Sequence, residues 1–136
     1  MIGTSGKVAI SGYFDPIHVG HLEFIRMAKK LGSHLTVIVN NDHQAKLKKG
    51  RSFMNEQDRM EIVYAIKGVD QVVLSIDKDK TVNETLRMLK PNIFANGGDR
   101  TFDEAPENIL KKEWDLKLVD GLGKKIRSSS EMTGIK

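Results

Sequence analysis

Two of the four histidines in the chain stand three residues apart, in the stretch GYFDPIHVGHLEF that runs from Gly12 to Phe24. At that spacing His18 and His21 share one face of the first turn of a helix. The free backbone N–H groups and the helix dipole at such an end favour an anion. Two imidazoles beside those amides make a cradle for a phosphate, above all one that gains charge in a transition state. Gly12 and Gly20 would let the backbone approach that ligand. Two other uses of the pair compete with this one: side chains that merely cap and hydrogen-bond the turn, and zinc ligation. Zinc is disfavoured, because the chain has no cysteine and only His34 and His43 as further histidines.

Three more stretches carry suitable side chains. AKLKKGR, Ala45–Arg51, offers Lys46, Lys48 and Lys49, either as a solvated face or as flexible ammonium groups that can follow a phosphate as it moves. KPNIFANGGDR, Lys90–Arg100, sets Gly97, Gly98 and Asp99 after a short apolar run. That pattern is a tight turn with an Asp cap, or a backbone pressed close to a ligand with Asp99 accepting from a hydroxyl. KKIRSSSEM, Lys124–Met132, contains a capping box in Ser128 and Glu131. The same Ser128, Ser129 and Ser130 would also offer hydroxyls and free amides to an anion at a helix start, with Lys125 or Arg127 adding charge.

The elements that must position these residues follow from the apolar pattern. Lys7–Ser11 is a short buried strand, and a helix begins near His18 or Val19 and runs to Leu31, with Gly32 as its C-terminal cap. Leu35–Val39 is a β-branched strand, and Asn40 to Phe53 reads as a polar loop. Asn55 caps a helix through Lys67, Gln71–Ser75 is a third strand, and Val82–Lys90 a helix halted before Pro91. Ile93–Ala95 is a fourth strand, Pro106–Lys112 is helical, and Leu116–Val119 is the last strand. Strands that alternate with helices predict a single α/β domain: an open, parallel, five-stranded sheet with helices on both faces. In such sheets ligands bind beyond the carboxyl ends of the strands, where strand order reverses. The loops after strands one and four are then the ones to watch, and they hold Gly12–His21 and Asn96–Arg100.

The totals agree with one domain. The chain has 136 residues, and no apolar run reaches the 18 needed for a membrane span. Residues 1–6 look like a flexible lead-in with no secretory character. The absence of cysteine fits a cytoplasmic protein. A net charge of +4 favours anionic ligands without requiring nucleic acid.

The stretch GYFDPIHVGH resembles the H-x-G-H signature of the nucleotidyltransferase superfamily, with the G-x-F-D-P lead-in of its adenylyltransferases. The resemblance covers Lys7 to Met132 and implies a Rossmann-like fold of the cytidylyltransferase-like kind. It implies roles for the matching residues. His18 and His21, with Lys46, would be catalytic. Gly12, Tyr13, Phe14, Lys48, Gly97, Gly98, Asp99 and Ser128–Ser130 would bind the nucleotide. Arg59, in NEQDRMEIV, resembles the family's E-x-R segment and would contact substrate together with Asp15 and Arg127, although Asp15 also suits a purely structural turn. Arg127 stands where the family often has an apolar residue.

The reaction this implies is transfer of AMP or CMP from an NTP to a phosphorylated small molecule, releasing pyrophosphate. The acceptor phosphate is already nucleophilic near neutral pH, so positioning and charge stabilisation suffice. Mg²⁺ would be carried by the NTP, and no protein metal site is expected. NGGD favours ATP and a sugar or polyol phosphate, with FMN and phosphopantetheine as other acceptors. A non-catalytic nucleotide- or RNA-binding module is the alternative, opposed by the scarcity of aromatics for base stacking: five Phe, two Tyr and one Trp. Family resemblance also makes a homodimer plausible, with Trp114 at its interface.

Overall fold

The computed structural model describes residues 6–97 and 105–122. The remaining positions named above, Gly98, Asp99, Arg127 and Ser128–Ser130 among them, lie outside the described residues, as does the lead-in before Gly6.

Five strands form one parallel sheet: β1 (Lys7–Gly12), β2 (His34–Val39), β3 (Gln71–Leu74), β4 (Ile93–Gly97) and β5 (Lys117–Leu122). Their order across the sheet is β3-β2-β1-β4-β5. The central strands VAI of β1 and LTVIV of β2 are buried on both sides, which is why they read as continuous apolar runs. Strand order reverses between β1 and β4, as the alternation of elements predicts.

On one face, α1 (Val19–Lys29) and α3 (Glu56–Tyr64) cover Ile10, Leu35, Val37 and Val39 with Ile25, Ala28 and Val63. On the other, α4 (Asn83–Leu89) and a 3-10 helix (Pro106–Lys112) cover Ala9, Ile38 and Phe94 with Leu86 and Leu110. Trp114 belongs to this second layer; it is half-buried and donates its indole N–H to the Pro91 carbonyl at 2.8 Å. Three parts of the backbone leave the strand ends in step, with Asn40 N–H donating to Gly12 and Ser75 N–H to Val39, both at 2.9 Å.

Three local expectations are corrected. The stretch expected to be a polar loop holds a helix, α2 (Asp42–Lys49), so that two helices rather than one connect β2 to β3. It has only Gln44 and Ala45 buried, so it lacks the apolar stripe by which helices are recognised. It forms because its ends are well capped. Asn41 accepts from Gln44 N–H, Gln44 accepts back from Asn41 N–H, and Gly50 closes the helix in the left-handed region at φ 87°. Lys46, Lys48 and Lys49 in its last turn complement the dipole. The second correction concerns Gly32, which is not the cap of α1; Lys30 ends that helix in right-handed geometry. Gly32 instead lies against the chain entering β1, where a Cβ would stand 2.4 Å from the Gly6 carbonyl oxygen. Third, α3 stops at Tyr64, and the segment before the last strand is a 3-10 helix.

Candidate active site

A cavity of about 380 Å³ opens at the carboxyl end of β1, where strand order reverses. Gly12, Tyr13, Phe14 and Asp15 form its floor, and His18 and His21 stand at the start of α1 on one wall. Lys48 comes from α2, Lys80 and Val82 from the loop before α4, and Glu107 from the 3-10 helix on the opposite layer. A second, largely apolar cavity between α1 and the segment after α3 is lined by Leu22 and Ile66 with Arg26, Lys29, Lys30 and Lys67, and among the described residues it includes no histidine or carboxylate.

The two histidines cap their own helix reciprocally. His18 is the N-cap, and its Nδ1 accepts the Gly20 N–H at 3.1 Å. His21 Nδ1 in turn accepts the His18 N–H at 3.0 Å. A nitrogen that accepts from an amide cannot carry a proton, so the hydrogen-bond network assigns the neutral Nε2–H tautomer to both rings. Each ring therefore keeps Nε2–H to offer a ligand. The rings are 4.0 Å apart between centroids, and His21 also meets Phe14 at 4.9 Å. Burial, and then the neighbouring His18, push the His21 imidazole down to about 4. At neutral pH His21 is thus a neutral donor. Capping and phosphate binding, competing uses in the sequence, are compatible because they use different nitrogens.

Gly20 is required by this arrangement: a Cβ there would stand 2.9 Å from Cε1 of His18. Its role is to admit the imidazole rather than a ligand. Gly97, expected beside the nucleotide, ends β4 against the Phe24 ring, where a Cβ would come to 2.9 Å, and it does not line the cavity. Phe14 is 2% exposed with φ 52°, a left-handed conformation uncommon for a bulky residue and held here by the core around its ring.

Asp15 and Arg59 are consumed by the scaffold instead of being offered to substrate. The Asp15 carboxylate accepts the N–H groups of Phe53 and Met54, both at 2.7 Å, and pairs with Lys49 at 2.9 Å. Burial alone would raise its pKa; the Phe53 amide, the Lys49 ammonium and the Met54 amide outweigh that and lower it. Arg59, expected to touch substrate, is 1% exposed. Its guanidinium donates to the carbonyls of Met54, Tyr13 and Asn40 and pairs with Asp42 at 2.6 Å. It clamps the loops after β1 and β2 from beneath the cavity.

Among the lysines of α2, the helical turn separates the roles. Lys48 lines the cavity, with its Nζ 4.6 Å from the Tyr13 ring centre. Lys49 is spent on Asp15, and Lys46, expected to be catalytic, is exposed and outside the lining. Sequence reasoning missed Asn40, Lys80 and Glu107. Lys80 sits in a loop after β3, away from the two loops singled out by the switch-point rule. Its position is set by Gln44, whose Nε2 donates to the carbonyls of Asp79 and Thr81 on either side at 2.7 and 2.8 Å. Asn41 holds the same loop through the carbonyls of Ser75 and Asp77. Among the described residues no group of three or more His, Cys, Asp or Glu is placed to hold a metal ion, and no helix is long and apolar enough to cross a membrane.

Comparison with known proteins adds three findings. A family model described as cytidylyltransferase-like matches residues 9–127. The FAD synthase of Pyrococcus abyssi is 43% identical over 98 residues, 71% of this chain and 66% of that protein. The chain therefore spans just under two thirds of that relative, whereas the FAD synthase of Thermococcus sibiricus is 39% identical over 116 residues, 83% of this chain and 78% of the relative. The crystal structure of a lipopolysaccharide core biosynthesis protein from Thermoplasma volcanium superposes with a TM-score of 0.74 at 31% identity, over 84% of this chain and 93% of that one.

Proposed function

The chain belongs to the cytidylyltransferase-like family, and from that membership we propose that it transfers AMP from ATP to FMN, forming FAD and pyrophosphate. The observation that carries the reading is the reciprocal His18–His21 cap, which leaves two Nε2–H donors at the wall of a cavity shared with Lys48 and Lys80. The likeness to FAD synthases supports ATP as donor and FMN as acceptor. The sugar or polyol phosphate favoured from NGGD gives way to FMN, whose phosphate is carried on a hydroxylated ribityl chain.

In this reading the FMN phosphate attacks the α-phosphorus of ATP in line, and the bond to the β-phosphate oxygen breaks as pyrophosphate leaves. No general base is needed, since the attacking phosphate is already ionised near neutral pH. His18 and His21 donate through Nε2–H to the α-phosphate oxygens as charge redistributes. Lys48 and Lys80 stabilise the departing charge. Mg²⁺ on the triphosphate would neutralise part of that charge. The donor set fits a cation that arrives with the nucleotide rather than a protein cage, because the Asp15 carboxylate is already taken by two amides and Lys49. Gly98, Asp99 and Ser128–Ser130 complete the proposed nucleotide site by resemblance, with Arg127 at the acceptor.

The test is pyrophosphate release with Mg²⁺, crossing ATP and CTP against FMN, heptose 1-phosphate and glycerol 3-phosphate. Release that needs ATP and FMN together, with FAD as product, is the expected result. Release with a sugar phosphate alone would overturn FMN as the acceptor. Nucleotide binding without turnover, with RNA affinity falling steeply in salt, would instead make it a binding module.

A further inference from the structure

Two carboxylates line the cavity, and they are in opposite condition. Asp15 is saturated by two amides and a lysine. Glu107 is 4% exposed, and its Oε1 is buried with no hydrogen-bond partner. A buried carboxylate oxygen left unpaired is destabilising, and folded proteins rarely keep one without use. The placement is firm. Pro106 starts the 3-10 helix, Leu110 anchors it in the core, and Asn83 Nδ2 donates to the Pro106 carbonyl at 3.2 Å.

The surroundings restrict what the partner can be. A phosphate oxygen would be repelled by the carboxylate. The described residues gather no set of ligands that would hold a metal ion on Glu107, and a cation carried by the triphosphate has the phosphate oxygens as its ligands. A neutral donor remains. The histidines and lysines make this the phosphate end of the site, and the neutral donors a few bonds from phosphates in nucleotides and phosphorylated acceptors are hydroxyls. We infer that Glu107 accepts a hydrogen bond from a substrate hydroxyl, on the ribose of the nucleotide or on the hydroxylated chain of the acceptor. Glu107 thereby selects substrates hydroxylated beside the phosphate, while the opposite layer holds the phosphate itself. The choice of probes rests on the reading of ATP and FMN as substrates.

The experiment is calorimetric binding to the full chain, wild type, E107A and E107Q, with circular dichroism to verify the fold. The ligands are ATP, 2′-deoxy-ATP, 3′-deoxy-ATP, purine riboside triphosphate, FMN, and FMN lacking single ribityl hydroxyls. One deoxygenated ligand should bind the wild type about tenfold more weakly than its parent, and that difference should vanish in E107A. Nucleotide or FMN identifies the source. E107Q keeps an acceptor oxygen without charge and should retain part of the difference; it carries the same comparison should E107A fail to fold. Equal penalties in wild type and variant for every hydroxyl would overturn the inference, as would coupling confined to the purine amine. FAD formation by the wild type is measured separately. Its absence beside a persistent coupling would sink the FMN reading alone, and its presence without coupling would sink the role of Glu107 alone.

Discussion

His21 accepts the backbone N–H of His18 through Nδ1 at 3.0 Å, and this one bond decides which nitrogen of His21 holds its proton. Together with the bond from Gly20 to His18, it leaves the Nε2–H of each ring outside the cap. In the proposed reaction, stability and catalysis therefore meet in the same two side chains and can be separated by substitution.

His18→Ala should lower the rate by about 10²–10³ and the stability by ~1 kcal/mol, the usual loss for an N-cap. His18→Asn should restore the cap and the stability but not the rate. Thermal melts and pyrophosphate release on both variants check this. A fully active Asn variant would show that the ring does no more than cap.

The depressed pKa of His21 makes stability depend on pH in a defined direction. Its native value is about 4 against 6.5 for the free side chain. Above 6.5 both states are neutral and His21 contributes no pH dependence. Between 6.5 and 4 the unfolded chain binds the extra proton, so stability falls as pH falls through that window. After allowance for partial exposure the loss is on the order of 2 kcal/mol. Urea unfolding from pH 7.5 to 4 should show the fall, and His21→Asn should flatten it; an unchanged slope would remove His21 as its source.

Lys48 and Lys46 sit two residues apart on the same exposed helix, yet only Lys48 lines the cavity. Lys48→Ala should reduce kcat/KM by about 10²-fold, whereas Lys46→Ala should stay within about threefold, as for a solvated surface charge. The reverse ranking would mean that α2 turns its other face to substrate.

Gln44 holds the loop of Lys80 through Nε2 and closes the cap of α2, the helix of Lys48, through Oε1. Lys80→Ala should weaken ATP binding about tenfold. Gln44→Leu should weaken it at least as much, because it frees the Asp79 and Thr81 carbonyls and also opens the α2 cap. The double variant should be little worse than Gln44→Leu alone, since freeing the loop already displaces Lys80. Additive losses would show that Lys80 reaches ATP without the hold of Gln44 on its loop.

Arg59 illustrates where reading from sequence ends. Its placement near the start of a helix after Asn55 is legible, because Asn-x-x-Asp before an apolar run is a local cap signal, and Asn55 does cap α3. Its destination is not. The partners that bury it lie 46 residues away at Tyr13, 19 away at Asn40 and 17 away at Asp42. A guanidinium suited to a phosphate is equally suited to three carbonyls and a carboxylate, and only packing decides between them.

The chain by itself determined the parallel sheet, the reversal of strand order beside β1, and the histidine pair at the start of α1. These follow from local periodicity, turn chemistry and a spacing of three residues, all contained within short stretches. Tertiary structure alone decided that Lys48 rather than Lys46 meets the cavity, that Asp15 and Arg59 are spent on the scaffold, and that Lys80 and Glu107 enter the site from a loop and from a 3-10 helix. Those outcomes depend on the rotational phase of a helix without an apolar stripe and on hydrogen bonds between distant segments. Neither quantity has a local signature, because each is set only when both faces of the sheet are covered.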